Sequence, residues 1–140
     1  MNRIVLILVI FFSVNSLFSQ NNENKYDEDL KDTIYDATKV DKQAEFKGGQ
    51  KEMMNFLVKN IRYPRDTPSS TSEISGKVFI EFVVNKQGNI IRAKVYKGVY
   101  TSLDKEALRV VNKFPKWNPA VHRGNNVFQR YVLPINFKIQ

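Results

Sequence analysis

The strongest constraint on the fold is one stretch of alternation. Val78, Ile80, Phe82 and Val84 occupy every second position, and Ile91, Ala93 and Val95 repeat the pattern after a five-residue break holding Gly88. Successive side chains of a strand point to opposite faces, so this period of two puts each of these apolar sets on a single face. Arg92, Lys94 and Tyr96 fall on the second face. Two such runs joined by a short Gly-containing loop predict an antiparallel hairpin covered on one side only.

The cover is written on both sides of the hairpin. Met53, Phe56, Leu57 and Ile61 recur at helical spacing after Gly48-Gly49, and Tyr63-Pro64 ends that helix because the residue before proline is pushed out of the helical region. Residues 65–75 are rich in Ser, Thr and Pro and read as a loop. A second helix follows Thr101-Ser102. Leu103, Ala107, Val110, Val111 and Phe114 form its apolar stripe, and Asp104 and Glu106 lie in the first turn, where they suit the helix dipole. Pro115 closes it, and residues 116–126 read as a loop with Trp117 as a core plug beneath it.

A last strand is predicted over 128–139. Tyr131, Leu133, Ile135, Phe137 and Ile139 make its apolar face; Arg130, Val132, Asn136 and Lys138 make the other. A strand–helix–strand connection makes its two strands parallel, so the last strand runs antiparallel to the first and pairs beside it. The expected architecture is α+β: two helices on one face of a three-stranded antiparallel sheet of order 2-1-3. Pro134 agrees with this placement, since a proline inside a strand lacks the ladder donor and belongs at an edge.

The N-terminus has a different character. Arg3 precedes an apolar run over 4–12, then Ser13, Asn15, Ser16 and Ser19. This is the layout of an export signal, with an apolar core short of the about 20 residues a spanning helix needs. Cleavage near Ser19 or Gln20 would leave a periplasmic protein; an uncleaved inner-membrane anchor is the alternative. Residues 20–43 are expected to be a flexible leader or weak helix, and 44–140 the folded domain. No stalk rich in Pro and Lys separates the two.

Chemistry is conspicuous by its absence from the pattern. With no Cys, disulfides and thiolate metal sites are excluded. His122 is the one histidine, read as a solvated loop residue, and no HExxH, GxSxG or P-loop occurs. No enzyme activity, metal or cofactor is expected. Charge is uneven: residues 46–140 hold seventeen bases and six acids, a net of +11, whereas 20–45 hold four bases and eight acids. The bases are scattered, which suits solvated faces better than a nucleic-acid site, though a polyanion-binding structural protein stays open as a reading.

What the pattern does offer is a sheet edge. The outer side of the last strand presents main-chain groups to an incoming strand, with Val132 and Asn136 sharing the outward set if the Pro134 nitrogen faces out. Arg130, Pro134 and Lys138 equally suit a guarded edge, and pattern alone leaves both readings open.

The ordered series Phe46-Lys47-Gly48-Gly49, Asn60-Ile61-Arg62-Tyr63-Pro64, Gly76-Lys77-Val78, Phe82-Val83-Val84, Gly88-Asn89-Ile90, Ser102-Leu103-Asp104-Lys105-Glu106-Ala107-Leu108, Trp117-Asn118-Pro119-Ala120 and Leu133-Pro134-Ile135-Asn136-Phe137 resembles the C-terminal domain of TonB energy transducers, in the form common in Bacteroidetes-type bacteria. The resemblance covers about 44–140 and implies the same two-helix, three-strand fold. It implies a partner, the TonB-box peptide of an outer-membrane transporter or a similar envelope segment, gripped as a strand added beside the last strand. Carried over by position, the peptide-binding candidates are Arg62, Tyr63, Pro64, Arg130, Val132, Leu133, Pro134 and Asn136. Tyr63 would either touch the peptide or pack on the sheet. A membrane-anchored energy transducer is the alternative function, and a homodimer through the edge strands the alternative partner.

Overall fold

A computed structural model describes residues 33–65 and 76–137. The signal segment, the leader up to residue 32, residues 66–75, Lys138 and Ile139 lie outside the described residues.

The elements run β1 (Ile34–Tyr35), a 3-10 turn (Ala37–Lys39), α1 (Gly49–Asn60), β2 (Gly76–Val84), β3 (Ile90–Lys97), α2 (Thr101–Val111), β4 (Ala120–His122) and β5 (Asn125–Phe137). The central three strands have the order β5-β2-β3, antiparallel throughout, as the topological argument requires. The three-stranded description is nevertheless too small. The sheet is mixed and five-stranded: β1 lies parallel along β5, and β4 forms a hairpin with the start of β5. Residues 34–43, expected to be flexible or weakly helical, therefore hold β1, the turn and a bridge from Lys42 to Val121. The segment expected as a loop before 126 holds β4, turned into β5 by Arg123 and Gly124. Both have positive φ (50° and 76°), the backbone that a two-residue hairpin turn demands.

The core lies between the sheet and the helices. Val78, Ile80, Phe82 and Val84 meet Leu103, Ala107, Val110 and Val111 of α2 and Met53 and Leu57 of α1, all buried. Trp117 is 2% exposed and touches the rings of Phe46, Phe82, Phe114 and Tyr131, at 5.1–5.8 Å between centroids. Burying a side chain of this size contributes about 3 kcal/mol. Its backbone is pinned as well: Trp117 N–H donates to the Gly88 carbonyl at 2.8 Å. Only glycine fits there, because φ is +85° and a Cβ would sit 2.0 Å from the Trp117 oxygen.

The two flanks of the sheet differ. β2 pairs with β5 through nine consecutive residue pairs without a shift. Against β3 the register shifts twice, with extra residues on the β3 side and Arg92 at φ 53°. The bulge corrects the expected alternation. Ile90 and Ala93 pack against the core, whereas Ile91 lies opposite Val83 on the outer face. Lys94 meets Glu81 on that face at 3.2 Å.

Candidate functional site

Which main-chain groups of β5 face outward follows from the neighbouring hairpin. Asn85 N–H donates to the Asn89 carbonyl at 3.0 Å, so Asn85 faces β3, and by the two-residue alternation Val83, Glu81 and Phe79 do too. Their opposite numbers on β5 are Arg130, Val132 and Pro134. These are thus the non-bonded pairs of the β2–β5 ladder, and on β5 their groups turn away from β2. Asn136 belongs to the same set. The missing N–H of Pro134 costs the β2–β5 ladder nothing, which explains how a proline is accommodated in a regular strand.

The outward side is partly taken. β1 covers it at 128–129, whereas β4 pairs with 125–127 past the end of β2, on the side that Gln129 turns to β2. The parallel ladder with β1 takes up the Arg130 N–H; from the Arg130 carbonyl to Phe137 no strand among the described residues pairs with the outer side. The edge expected to be open is open beyond Arg130 and closed by the chain's own β1 at 128–129. β3, the opposite flank, is the guarded one: its bulges, Lys94 and Lys97 spoil a flat template.

The candidate residues fall into two groups. Arg130, Val132, Pro134 and Asn136 line the open stretch with exposed side chains, Val132 being 40% exposed. Leu133 departs from the expected set. Its side chain is 4% exposed in the core and its backbone faces β2, so an incoming strand cannot touch it. Arg62, Tyr63 and Pro64 leave the end of α1 and reach the far end of β5. The Tyr63 ring stands edge-on to Phe137 at 5.8 Å while remaining half exposed, so it packs on the sheet and presents a surface at once.

Sequence reasoning missed what fixes the 62–64 segment. Arg62 N–H donates to Glu106 Oε1 at 2.7 Å; Arg109 donates to the same carboxylate through Nε (2.8 Å) and Nη2 (2.6 Å), and to the Asn60 carbonyl at 2.7 Å. Glu106, expected as a dipole partner of the first turn, instead links α2 to the end of α1. The hydrogen bond from Arg109 holds its carboxyl below the ordinary value, against the opposing effect of burial and with help from the Arg62 N–H and the two positive charges. The spacing of Glu106 and Arg109, three apart on one helix face, was the available signal.

On the helix side a cavity of about 380 Å³ lies between residues 42–46, the start of α1, Trp117 and Tyr131. Burial, then the Glu45 carboxylate, pushes the Tyr131 phenol up, keeping it protonated. Gln129, fully buried, accepts the Ala44 N–H at 2.6 Å and ties residues 42–46 to β5. His122 is not the solvated loop residue expected. It sits half-buried in β4, its ring 5.1 Å from Tyr35 and its Nδ1 3.6 Å from Asp41. Among the described residues no three His, Asp or Glu side chains group as metal ligands, and no helix is long and apolar enough to cross a membrane.

No curated protein matches the chain. The family described as Gram-negative bacterial TonB protein C-terminal matches residues 59–139, from the last turn of α1 through β5. Domains of this family are interaction and energy-transduction domains of envelope transport. They engage outer-membrane transporters and are not enzymes. The match spans more than half of the sequence and takes in the whole three-stranded centre of the sheet, so the chain belongs to the Gram-negative bacterial TonB protein C-terminal family.

Proposed function

We propose that this domain is a periplasmic interaction module that docks an extended, TonB-box-like peptide by strand addition to the outer edge of β5 between Arg130 and Phe137. One observation carries the reading: the sheet has one regular, unbulged edge whose outward groups from the Arg130 carbonyl onward lack a strand partner among the described residues, and one edge spoiled by bulges. Backbone bonds to the Arg130 carbonyl, Val132 and Asn136 supply affinity. Selection falls to alternate side chains, which meet Val132 and Asn136 on the outer face and the Tyr131 cavity and Tyr63 on the helix side.

The test is titration of labelled extended peptides against wild type and an Arg130→Glu, Val132→Pro double variant. Loss of binding in the variant is expected; equal binding by both discards the site. Whether the protein also transduces energy turns on its N-terminus. Mass spectrometry of that terminus in the native host decides it, a start near Gln20 ruling out an anchored transducer. The polyanion reading gains less support, because Glu81 offsets Lys94 on the exposed face.

A further inference from the structure

The docking edge already holds a strand. β1 is added to β5 from outside, parallel to it, with Ile34 opposite Phe128 and Tyr35 opposite Gln129. It lies immediately ahead of the open stretch, so any partner strand long enough to overlap 128–129 competes with it. The hold is slight. Two residue pairs make the ladder, and the chain then leaves the edge at Asp36 into the 3-10 turn. Beyond the ladder, Tyr35 leans on His122 and the Asp41 carboxylate accepts the Arg123 N–H at 2.7 Å. Asp36, 66% exposed, points an oxygen to within 4.0 Å of the Arg130 guanidinium, itself 50% exposed. β1 also lies upstream of the residues that match the family.

We propose that the 34–36 segment is an intramolecular stand-in for the partner peptide, seated at the head of the docking edge and displaced when that peptide binds. The proposal rests on the docking reading and deepens it by giving the ligand a direction and a chemistry. The partner strand runs parallel to β5. It carries a β-branched residue and an aromatic or second apolar residue opposite Phe128 and Gln129, then a carboxylate that replaces Asp36 on Arg130. An acidic residue there is favoured twice, by the Arg130 charge and by the basic character of the domain, net +11 over 46–140.

The test uses the full chain and a fluorescent synthetic peptide of its own residues 32–38. Tyr35→Pro removes a ladder donor from β1, and Asp36→Ala removes the carboxylate with the backbone left intact. The peptide is expected to bind the Tyr35→Pro protein about tenfold more tightly than wild type, the yield of releasing a two-pair ladder, and the Asp36→Ala protein a few-fold more tightly. The same peptide with Asn at the position of Asp36 binds several-fold more weakly. Adding Val132→Pro to Tyr35→Pro abolishes the gain. Equal affinity for wild type and both variants, or no binding to either variant, overturns the stand-in. If unrelated extended peptides still bind wild type and lose affinity on Val132→Pro, the docking reading survives that failure; if they do not bind, both readings fall.

Discussion

Replacing Glu106 gives the sharpest test of how the 62–64 segment is positioned. Its carboxylate is 10% exposed and accepts three hydrogen bonds, one from Arg62 N–H and two from Arg109. Glu106→Ala leaves the Arg62 N–H without its acceptor and Arg109 with only the Asn60 carbonyl. Breaking a fully buried pair costs about 3–5 kcal/mol. Arg109 is 34% exposed, so water recovers part of that, and about 2 kcal/mol is expected. For a domain of this size that lowers Tm by about 10 °C. Glu106→Gln keeps an acceptor for Arg62 but loses the charge, and should cost about half as much. The pH dependence has a definite sign. The folded carboxyl titrates below its ordinary value of 4.5, so its stabilisation is fully present above that pH and is lost as pH falls through the lower, folded value. Thermal melts of wild type and Glu106→Gln should therefore differ at pH 7 and converge in acid. A Glu106→Ala protein within about 0.5 kcal/mol of wild type at pH 7 would refute the argument and reduce the cluster to a solvated surface pair.

Three further outcomes are expected. Val132→Pro leaves Tm nearly unchanged, because the outward Val132 N–H bonds no strand among the described residues; a large loss of stability by calorimetry would show that this edge is in use internally. Gly88→Ala destabilises by about 3 kcal/mol in urea titration, since the left-handed backbone and the clash with the Trp117 carbonyl act together; a change below about 1 kcal/mol contradicts it. Trp117→Ala costs about 3–5 kcal/mol, read by the same titration, and a variant close to wild type would mean that the loop repacks without its plug.

The elements legible in the sequence were those whose residues repeat. Val78, Ile80, Phe82 and Val84 recur at every second position, and both helices carry a stripe of period 3.6, so their faces, ends and pairing order could be read directly. Where the backbone gains a residue the pattern misleads. The β3 bulge at Arg92 brings Ile90 and Ala93 to the core and sends Ile91 to the outer face, an exchange that hydrophobicity alone does not reveal. β1 was illegible for another reason. Two residues cannot show a period, and their partner lies more than ninety positions away in a parallel register. β4 was hidden by its own turn residues, because Gly124-Asn125-Asn126 read as loop when Arg123-Gly124 is a tight hairpin turn. Of the site, the outward-facing residues of β5 followed from alternation and Pro134. Leu133, though adjacent in sequence to Val132 and Pro134, lies on the opposite strand face and is buried.

The unequal flanks of the sheet limit what strand pairing can lead to. Fibre growth by edge association requires a receptive surface at both ends of every unit, so that each arrival offers a fresh template to the next. Here the kinked lysine-bearing side makes a poor terminus for another molecule's β5, and the reaction halts after a single addition. A domain built this way can keep an adhesive border in a crowded compartment without seeding its own aggregation.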